Sequence, residues 1–365
     1  MITLADILRI HGAQYLKRFQ NNMLPSHKKA MRDILLCRSG HLGWHEWYCP
    51  NCNKVHYAHN SCRNRHCPQC QNNSAQNWIA KQQDKLLPVE YFLFTFTIPE
   101  ELRRLVRSNQ KILYNMLFKV SSECLQLLAR DKRFLYGETG MVGVLHTWSQ
   151  TLEYHPHVHF IIPGISISAQ NQTLYFARNG FLVHVKALSR LYRFRFKKAL
   201  QNAGLLKNVT SNIFSKEWVV HGKSVGSGQL AVKYLAQYVY RVAISNQRIL
   251  SCKKGQVTFS YKDYQSDSYK NITLPALEFM RRFFQHILPK GFQKVRYYGF
   301  LHPKESKLFN QMRLLLNARL KISKNPCKEN NVMLCPNCGR PMVCIGRKTV
   351  NRPPPLLKLF ELEAA

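Results

Sequence analysis

The stretch that decides the fold is His146–Gly164, which reads HTWSQTLEYHPHVHFIIPG. Its centre, YHPHVH, runs straight into an apolar segment, as expected of a half-buried β-strand. Residues two apart in a strand share a face, so His157 and His159 should point one way while Val158 and Phe160 enter the core. Two imidazoles on one rigid strand form half of a metal site that keeps open coordination positions.

A third ligand is predicted on the preceding strand. His146 lies eleven residues before His157, and a hairpin turning near residue 152 would bring it beside the pair. Gln150 and Gln237 are alternative neutral donors. His155 would join this face only if the strand continued through the next proline, which interrupts pairing, so we leave it out. The alternative is a pair of surface histidines with no metal.

Strands and helices alternate around this hairpin. Tyr91–Ile98 is predicted to be a strand. Helical periodicity occurs over 100–128, before the hairpin, and over 188–203, after it. This order predicts an α/β or α+β central domain. We place domain boundaries so that residues 1–88 form an N-terminal domain, 89–300 a central domain and 301–365 a C-terminal helix and CxxC tail.

The charge of the chain points to a polyanionic partner. Its 365 residues include 54 Lys and Arg against 19 Asp and Glu, a net charge of +35. An ordinary enzyme for small neutral substrates has no use for this surplus, whereas nucleic acid binding does. Between residues 154 and 262 the only acid is Glu217, against 16 basic residues, so DNA is expected there. A merely solvated basic face is the alternative.

The sequence predicts an intracellular protein. It has no apolar run of about 18 residues and no signal peptide, so neither a membrane span nor secretion is expected. We therefore expect a cytoplasmic protein whose twelve cysteines are reduced, and the DNA partner indicated by its charge predicts association with the nucleoid. Metal binding is then the leading explanation for the cysteines.

Two CxxC pairs lie fourteen residues apart near the N-terminus. Cys49 and Cys52 form the first pair, and Cys67 and Cys70 the second. Two such knuckles typically complete one tetrahedral structural zinc site, which is the prediction here. A redox-active pair is disfavoured because the knuckles come matched.

Further ligands and DNA contacts are predicted around these knuckles. A second ion would use Cys37, Cys62 and His66, with His41 or His45. Near the C-terminus, Cys335 and Cys338 form another CxxC pair and a possible second zinc site. Beside the N-terminal knuckle, Arg63 and Arg65 are expected to contact DNA.

A helical pattern over 229–244 carries the candidate nucleophiles. Tyr234 and Tyr238 are four residues apart, so they share a helix face with Gln237 and Arg241, the latter a candidate DNA contact. A tyrosine hydroxyl becomes an effective nucleophile when a cation polarises the phosphate it attacks. The product would be a 5′-phosphotyrosine and a free 3′-hydroxyl. Simple aromatic packing is the alternative.

A basic helix is the last candidate for DNA binding. Arg193, Arg195 and Lys197 alternate with aromatic residues at 192, 194 and 196, which suits single-stranded DNA through phosphate contacts and base stacking. An amphipathic helix with buried aromatics is the alternative.

Taken together, these segments resemble the HUH-endonuclease rolling-circle transposases of the two-tyrosine insertion-sequence family. The resemblance rests on the histidine stretch already quoted and on YLAQYVYRVAISNQRI at 234–249. NSCRNRHCPQCQ at 60–71 is similar to that family's transposase zinc-binding domain. FTFTIPEELRRLVR at 94–107, RYYGFLHPKE at 296–305 and CPNCGRPM at 335–342 are also similar.

The resemblance implies a fold, an activity and roles for residues. The fold would be α+β, with a central HUH-type antiparallel sheet and flanking helices after a small zinc module. His157 and His159 would hold magnesium or manganese, and Tyr234 and Tyr238 would nick and rejoin single-stranded or melted DNA at element ends and target. The family usually has a basic residue where this chain has Gln237, and a non-aromatic residue where this chain has Tyr240.

Two other functions remain open from the sequence. A plasmid replication initiator or relaxase would use the same chemistry, although the zinc module and C-terminal segments favour a transposase. A zinc-dependent DNA-binding protein without catalysis would need neither the histidines nor the tyrosines. A transposase with clustered carboxylates and two metals is disfavoured because the central stretch has almost no acids.

Overall fold

A computed structural model describes residues 2–70, 86–168, 173–178, 180–227, 239, 242–263, 266–316, 333–350 and 353–361. Its α-helices are α1 (Leu4–Phe19), α2 (Pro25–Leu36), α3 (Arg103–Ser108), α4 (Gln110–Ala129), α5 (Val185–Asn202), α6 (Ala276–Phe284), α7 (Ser306–Leu315) and α8 (Leu356–Glu361). Its strands are β1 (Gly43–Cys49), β2 (Lys54–His59), β3 (Glu90–Thr97), β4 (Met141–Trp148), β5 (Tyr154–Pro163), β6 (Ile165–Ile167), β7 (Leu174–Phe176), β8 (Val220–Ser227), β9 (Ile249–Lys253), β10 (Gln256–Asp263), β11 (Ser268–Pro275), β12 (Val295–Tyr298) and β13 (Val343–Thr349).

A five-stranded sheet forms the centre of the molecule. Its strand order is β12-β4-β5-β3-β8, and every neighbouring pair is antiparallel. The predicted hairpin is present, with β4 and β5 joined by residues 149–153 and His146 directly opposite His157. The expectation of an α+β domain built on an antiparallel sheet is confirmed.

The two faces of this sheet are chemically different. On β3 and β5 the side chains that alternate toward one face are large and apolar, including Phe94, Phe96, Val158 and Phe160, and α4 and α5 cover them. Phe96 lies 5.0 Å from the ring of Tyr192 on α5. The opposite face carries the histidines together with a smaller apolar cluster that includes Leu93 and Val144. The period-2 pattern thus places the histidines on the face opposite the main core, as predicted.

The N-terminal helices share a core with a second sheet. Leu8 on α1 and Ile34 on α2 belong to one apolar cluster with Phe259 on β10 and Phe283 on α6. The strands of this second sheet are ordered β11-β10-β9. The boundary at residue 88 stays a prediction, but packing continues across it, because α1 and α2 are buried against residues from 249 onward.

The C-terminal segment also joins the N-terminal module. A third sheet has the order β13-β1-β2, so β13 pairs with a strand almost 300 residues earlier. The helix α8 contacts α1 and α2. The boundary at residue 300 stays a prediction, although the segment that follows it packs against the N-terminal module.

The helices predicted over 100–128 and 188–203 are present, with bounds that differ by a few residues. The long helix expected over 100–128 is a 3₁₀ turn followed by α3 and α4, interrupted at Asn109, whose φ and ψ are −125° and 42°. The tyrosine segment over 228–238 and 240–241 lies outside the described residues. None of the helices in the described ranges is long and apolar enough to cross a membrane.

Candidate metal centre and nucleic-acid interface

Three histidines meet on the face of the central sheet that α4 and α5 do not cover. His146 comes from β4, and His157 and His159 come from β5. Their ring centroids are 4.7 to 5.5 Å apart, and one ligand nitrogen of each lies within 4.8 Å of the others. His146 is 2% exposed and His159 is 7% exposed. The structure thus brings the predicted third histidine to the pair.

Neighbouring groups orient two of these rings. His157 Nδ1 lies 2.6 Å from the carbonyl oxygen of His155, so this nitrogen carries the proton and donates it. His159 Nδ1 lies 2.9 Å from Thr95 Oγ1 on β3, directly opposite in register. The carbonyl bond fixes the tautomer of His157 and leaves its Nε2 as the ligand atom, while the Thr95 hydroxyl fixes the orientation of the His159 ring.

The strand does continue through Pro156, so the reason for excluding His155 was wrong, but His155 has a partner outside the histidine cluster. His155 Nδ1 accepts a hydrogen bond from Arg103 Nη2 at 3.2 Å. Burial, and then the positive charge of Arg103, lower the pKa of His155, which keeps the ring neutral and able to accept. His155 therefore serves the site through its carbonyl group. Of the alternative donors, Gln237 lies outside the described residues, and the carbonyl of Gln150 accepts from Arg248.

A cation, an aromatic ring and an apolar contact border the histidines. Trp148 stacks on His146 with centroids 4.7 Å apart and planes at 20°. Lys294 Nζ lies 5.1 Å from the Trp148 ring centroid and donates to the carbonyl of Val239 at 3.1 Å. Val239 is buried against Leu93 and Val144 on the same sheet face. Val239 directly follows Tyr238 in the chain, while both predicted tyrosines lie outside the described residues.

A cavity of about 740 Å³ continues from this border. Trp148, Val239 and Lys294 line one part, and Arg65, Arg296 and Tyr297 line another. Its volume lies in the range of pockets that take a nucleotide-sized ligand. Arg65 also donates to the carbonyl oxygens of Phe292 and Pro289 at 2.6 and 3.2 Å, so it fastens the N-terminal module against the cavity wall.

The opposite sheet edge adds another residue to this face. His221 on β8 is opposite Thr95 in register, as His159 is from the other side, so the three share one face. His221 is exposed. Sequence reasoning missed His221, Trp148 and Lys294. Only Trp148, two residues after His146 on the same strand, had a detectable signal.

The predicted single zinc site is wrong in its pairing. One cluster contains four cysteines whose ligand atoms lie within 4.8 Å of one another: Cys37, Cys62, Cys67 and Cys70. Sγ of Cys70 lies 3.3 Å from that of Cys37 and 3.4 Å from that of Cys62. Cys49 and Cys52 belong to a different cluster, which they form with Cys335 and Cys338. Four sulfurs at such spacing suit tetrahedral zinc.

The histidine ligands offered for a second ion are also wrong. Four thiols already complete the cluster at Cys67, and neither His41 nor His45 belongs to it. His66 Nε2 instead accepts from the backbone N–H of Leu288 at 3.4 Å. Burial and the nearby Arg65 lower the pKa of His66 well below its ordinary value, so this ring is a neutral acceptor.

The predicted DNA-contacting residues are spread over different surfaces. Arg63 is exposed in the loop before the Cys67 knuckle, and Arg241 lies outside the described residues. The cations of α5 are on the layer that covers the apolar face, away from the histidines. There Arg193 donates to the carbonyl of Lys216, Arg195 lies 3.8 Å from Glu123, and Lys197 lies 5.4 Å from the Phe214 ring.

Base stacking by all three aromatics of α5 is ruled out. Tyr192 and Phe196 are fully buried with Leu188 and Leu200 in the core, whereas Phe194 is 65% exposed. The alternative of an amphipathic helix is correct for two of the three. Their spacing of four residues is the signal that predicts a buried stripe.

Comparisons with known proteins identify related transposases. A family described as "Putative transposase" matches residues 140–307, and a "Transposase zinc-binding domain" matches residues 7–98. "Putative transposase y4qJ" of Sinorhizobium fredii is 36% identical over 318 residues, covering 81% of this chain and 79% of its own. "Transposase for insertion sequence element IS801" of Pseudomonas savastanoi pv. phaseolicola is 28% identical over 289 residues, covering 73% and 68%.

No solved structure matches the chain significantly. The sequence matches nevertheless span both the histidine sheet and the first cysteine cluster. The chain belongs to the family of insertion-sequence transposases and carries that family's zinc-binding domain.

Proposed function

We propose that this transposase has HUH-type tyrosine chemistry: it nicks one DNA strand and rejoins it through a 5′-phosphotyrosine link, in rolling-circle transposition. The observation that carries the proposal is the cluster of His146, His157 and His159 on one face of an antiparallel sheet. Val239 supports it, because the residue following Tyr238 is buried on that same face.

The histidine cluster fits a divalent cation. Three neutral imidazoles leave open positions for phosphate oxygens, and two of the rings are oriented by Thr95 and by the carbonyl of His155. Imidazole ligands suit manganese better than magnesium, which prefers oxygen, although the site can take either through added water and phosphate ligands. When bound, the cation polarises the scissile phosphate and offsets its developing negative charge.

The proposed reaction conserves the number of phosphodiester bonds. The phenolic oxygen of Tyr234 or Tyr238 forms a bond to phosphorus, and the bond from phosphorus to the 3′-oxygen breaks. The tyrosine proton is lost and the departing 3′-oxygen gains a proton. The reverse attack by a 3′-hydroxyl rejoins DNA without ATP, and two tyrosines allow two strand ends to be held.

We expect covalent capture of DNA to identify the nucleophiles. Purified protein is incubated with single-stranded oligonucleotides tiled across the element ends and manganese, and denaturation-resistant adducts are quantified. Loss of the adduct only in the Tyr234→Phe, Tyr238→Phe double variant assigns both hydroxyls, and loss in one single variant names the first. Tyr136→Phe, which alters an exposed tyrosine outside the proposed segment, is the control. Undiminished adduct in the double variant contradicts the proposal.

The single-stranded DNA is proposed to enter along the cavity lined by Trp148 and Lys294. Lys294 supplies positive charge at the cavity wall. Trp148 is 9% exposed and holds the ring of His146 in place by stacking on it. This path reaches the three histidines because Trp148 stacks directly on His146. Nucleoid association follows from DNA binding and stays a prediction.

Removing the charge of Lys294 should weaken single-stranded DNA binding. Lys294→Gln retains a donor for the Val239 carbonyl but loses one phosphate contact, so we expect about three- to tenfold weaker binding and a salt dependence shallower by about 0.7. Lys197→Gln, on the opposite layer, is the matched control and should bind normally. Fluorescence anisotropy with a labelled oligonucleotide at several salt concentrations measures both. Equal losses in the two variants would place the DNA elsewhere.

The replication-initiator and relaxase alternative is disfavoured by the family assignment. A non-catalytic DNA-binding protein is disfavoured by the histidine geometry, because the rings are oriented around a common point by Thr95 and a backbone carbonyl.

A further inference from the structure

The second cysteine cluster is built from two copies of one local structure. CPNC occurs at 49–52 and again at 335–338. After each, the next residue has a left-handed backbone, with φ of 53° at Asn53 and 70° at Gly339. Its N–H donates to the carbonyl of the first cysteine of its own knuckle, at 2.9 and 2.8 Å respectively. This turn directs both sulfurs of a knuckle to the same side.

The two knuckles face each other across the chain. Sγ of Cys49 lies 3.6 Å from Sγ of Cys338, and all four sulfurs lie within 4.8 Å of one another. A tetrahedral zinc ion with bonds of about 2.3 Å requires sulfurs about 3.8 Å apart, whereas a disulfide requires about 2.05 Å. The spacing fits a common ion.

The surrounding sheet holds the knuckles in this position. β1 pairs with β2 on one side and with β13 on the other, from Gly43 opposite Thr349 to Tyr48 opposite Val343. The apolar cluster beneath is small, with Trp47, Met333 and Met342 packed around the cysteines. So few apolar side chains cannot stabilise a three-stranded sheet alone, and in such modules metal binding supplies the folding free energy.

We propose that a second zinc ion, held by Cys49, Cys52, Cys335 and Cys338, joins the two ends of the chain into one zinc ribbon. The zinc-binding domain is then completed by residues outside the 7–98 match. His56 Nε2 lies 3.8 Å from Cys335 Sγ and donates to this thiolate, which orients it.

Zinc content and thiol reactivity of the full chain test the proposal. Metal analysis should give two zinc ions per wild-type chain and one in the Cys335→Ser, Cys338→Ser variant. Cys344→Ser is the matched control and should keep two, because this exposed cysteine on β13 belongs to neither cluster. One zinc in the wild type, or two in the double variant, overturns the proposal.

Native-state alkylation of the wild type tests it without any variant. Cys338 and Cys344 are both exposed. In the zinc-loaded chain we expect Cys338 to react at least about tenfold more slowly than Cys344, because a zinc-bound thiolate is a poor nucleophile. A chelator should release Cys49, Cys52, Cys335 and Cys338 together, as peptide mass spectrometry can show. Equal rates for Cys338 and Cys344 before chelation would exclude the ion.

Discussion

His157→Ala is expected to reduce formation of the protein–DNA adduct by at least about 10²-fold, or roughly 2.7 kcal/mol of transition-state stabilisation. Removing one of three imidazoles leaves the cation with too few protein ligands to stay beside the phosphate. DNA affinity should change little, because the arginine and lysine contacts remain. The measurement is the adduct time course in manganese, beside a binding titration of the same preparation.

Two further variants separate ligation from general damage. His184→Ala removes an exposed histidine at the start of α5, on the opposite layer, and should react normally. Thr95→Val removes the partner of His159 Nδ1 without removing a ligand, so we expect a 10- to 100-fold loss that added metal partly restores. A His157→Ala protein that forms adduct at the wild-type rate would refute the assignment of the metal centre.

Cys67→Ser is expected to destabilise the N-terminal module strongly. Structural zinc in small modules contributes on the order of 10 kcal/mol of folding free energy. Loss of one thiolate ligand removes most of this contribution. Cys67 is fully buried and packs in the same core as α1 and α2, so the loss should spread to those helices. Thermal unfolding followed by circular dichroism should show an earlier transition, with one zinc ion fewer per chain.

The control for this change is Cys252→Ser. Cys252 is half-buried in the same core, and its Sγ lies 3.4 Å from His11 Nε2, but it belongs to neither cysteine cluster. It should keep its zinc and shift the unfolding midpoint only slightly. Similar shifts for the two variants would mean that Cys67 stabilises the module by packing alone.

The sequence predicted the central sheet well because its signals are local. Alternation along 154–162 assigns each side chain to a face, and a short hairpin leaves little freedom in where His146 can lie. The sequence also contains the signal for the buried stripe of α5, because the apolar residues 188, 192, 196 and 200 recur every four positions.

The cysteine pairing could not be read from spacing alone. Each CxxC knuckle has the same local geometry whichever partner completes its site, and proximity in sequence favoured joining Cys52 to Cys67. In the structure, the knuckle of Cys49 and Cys52 meets a partner more than 280 residues away, because β1 pairs with β13. The identical tetrapeptides at 49 and 335 were the available clue. The positions of Lys294 and His221 depend on the order of the strands in the sheet, which no local sequence pattern predicts.

The pairing of β1 with β13 also sets an order of events during synthesis. About 290 residues separate the two strands, so a ribosome adding 5–20 residues per second makes the second one roughly 15 to 60 s after the first. Until then β1 has β2 on one side and an unpaired edge on the other. An interrupted translation product would keep that open edge, which invites aggregation and degradation.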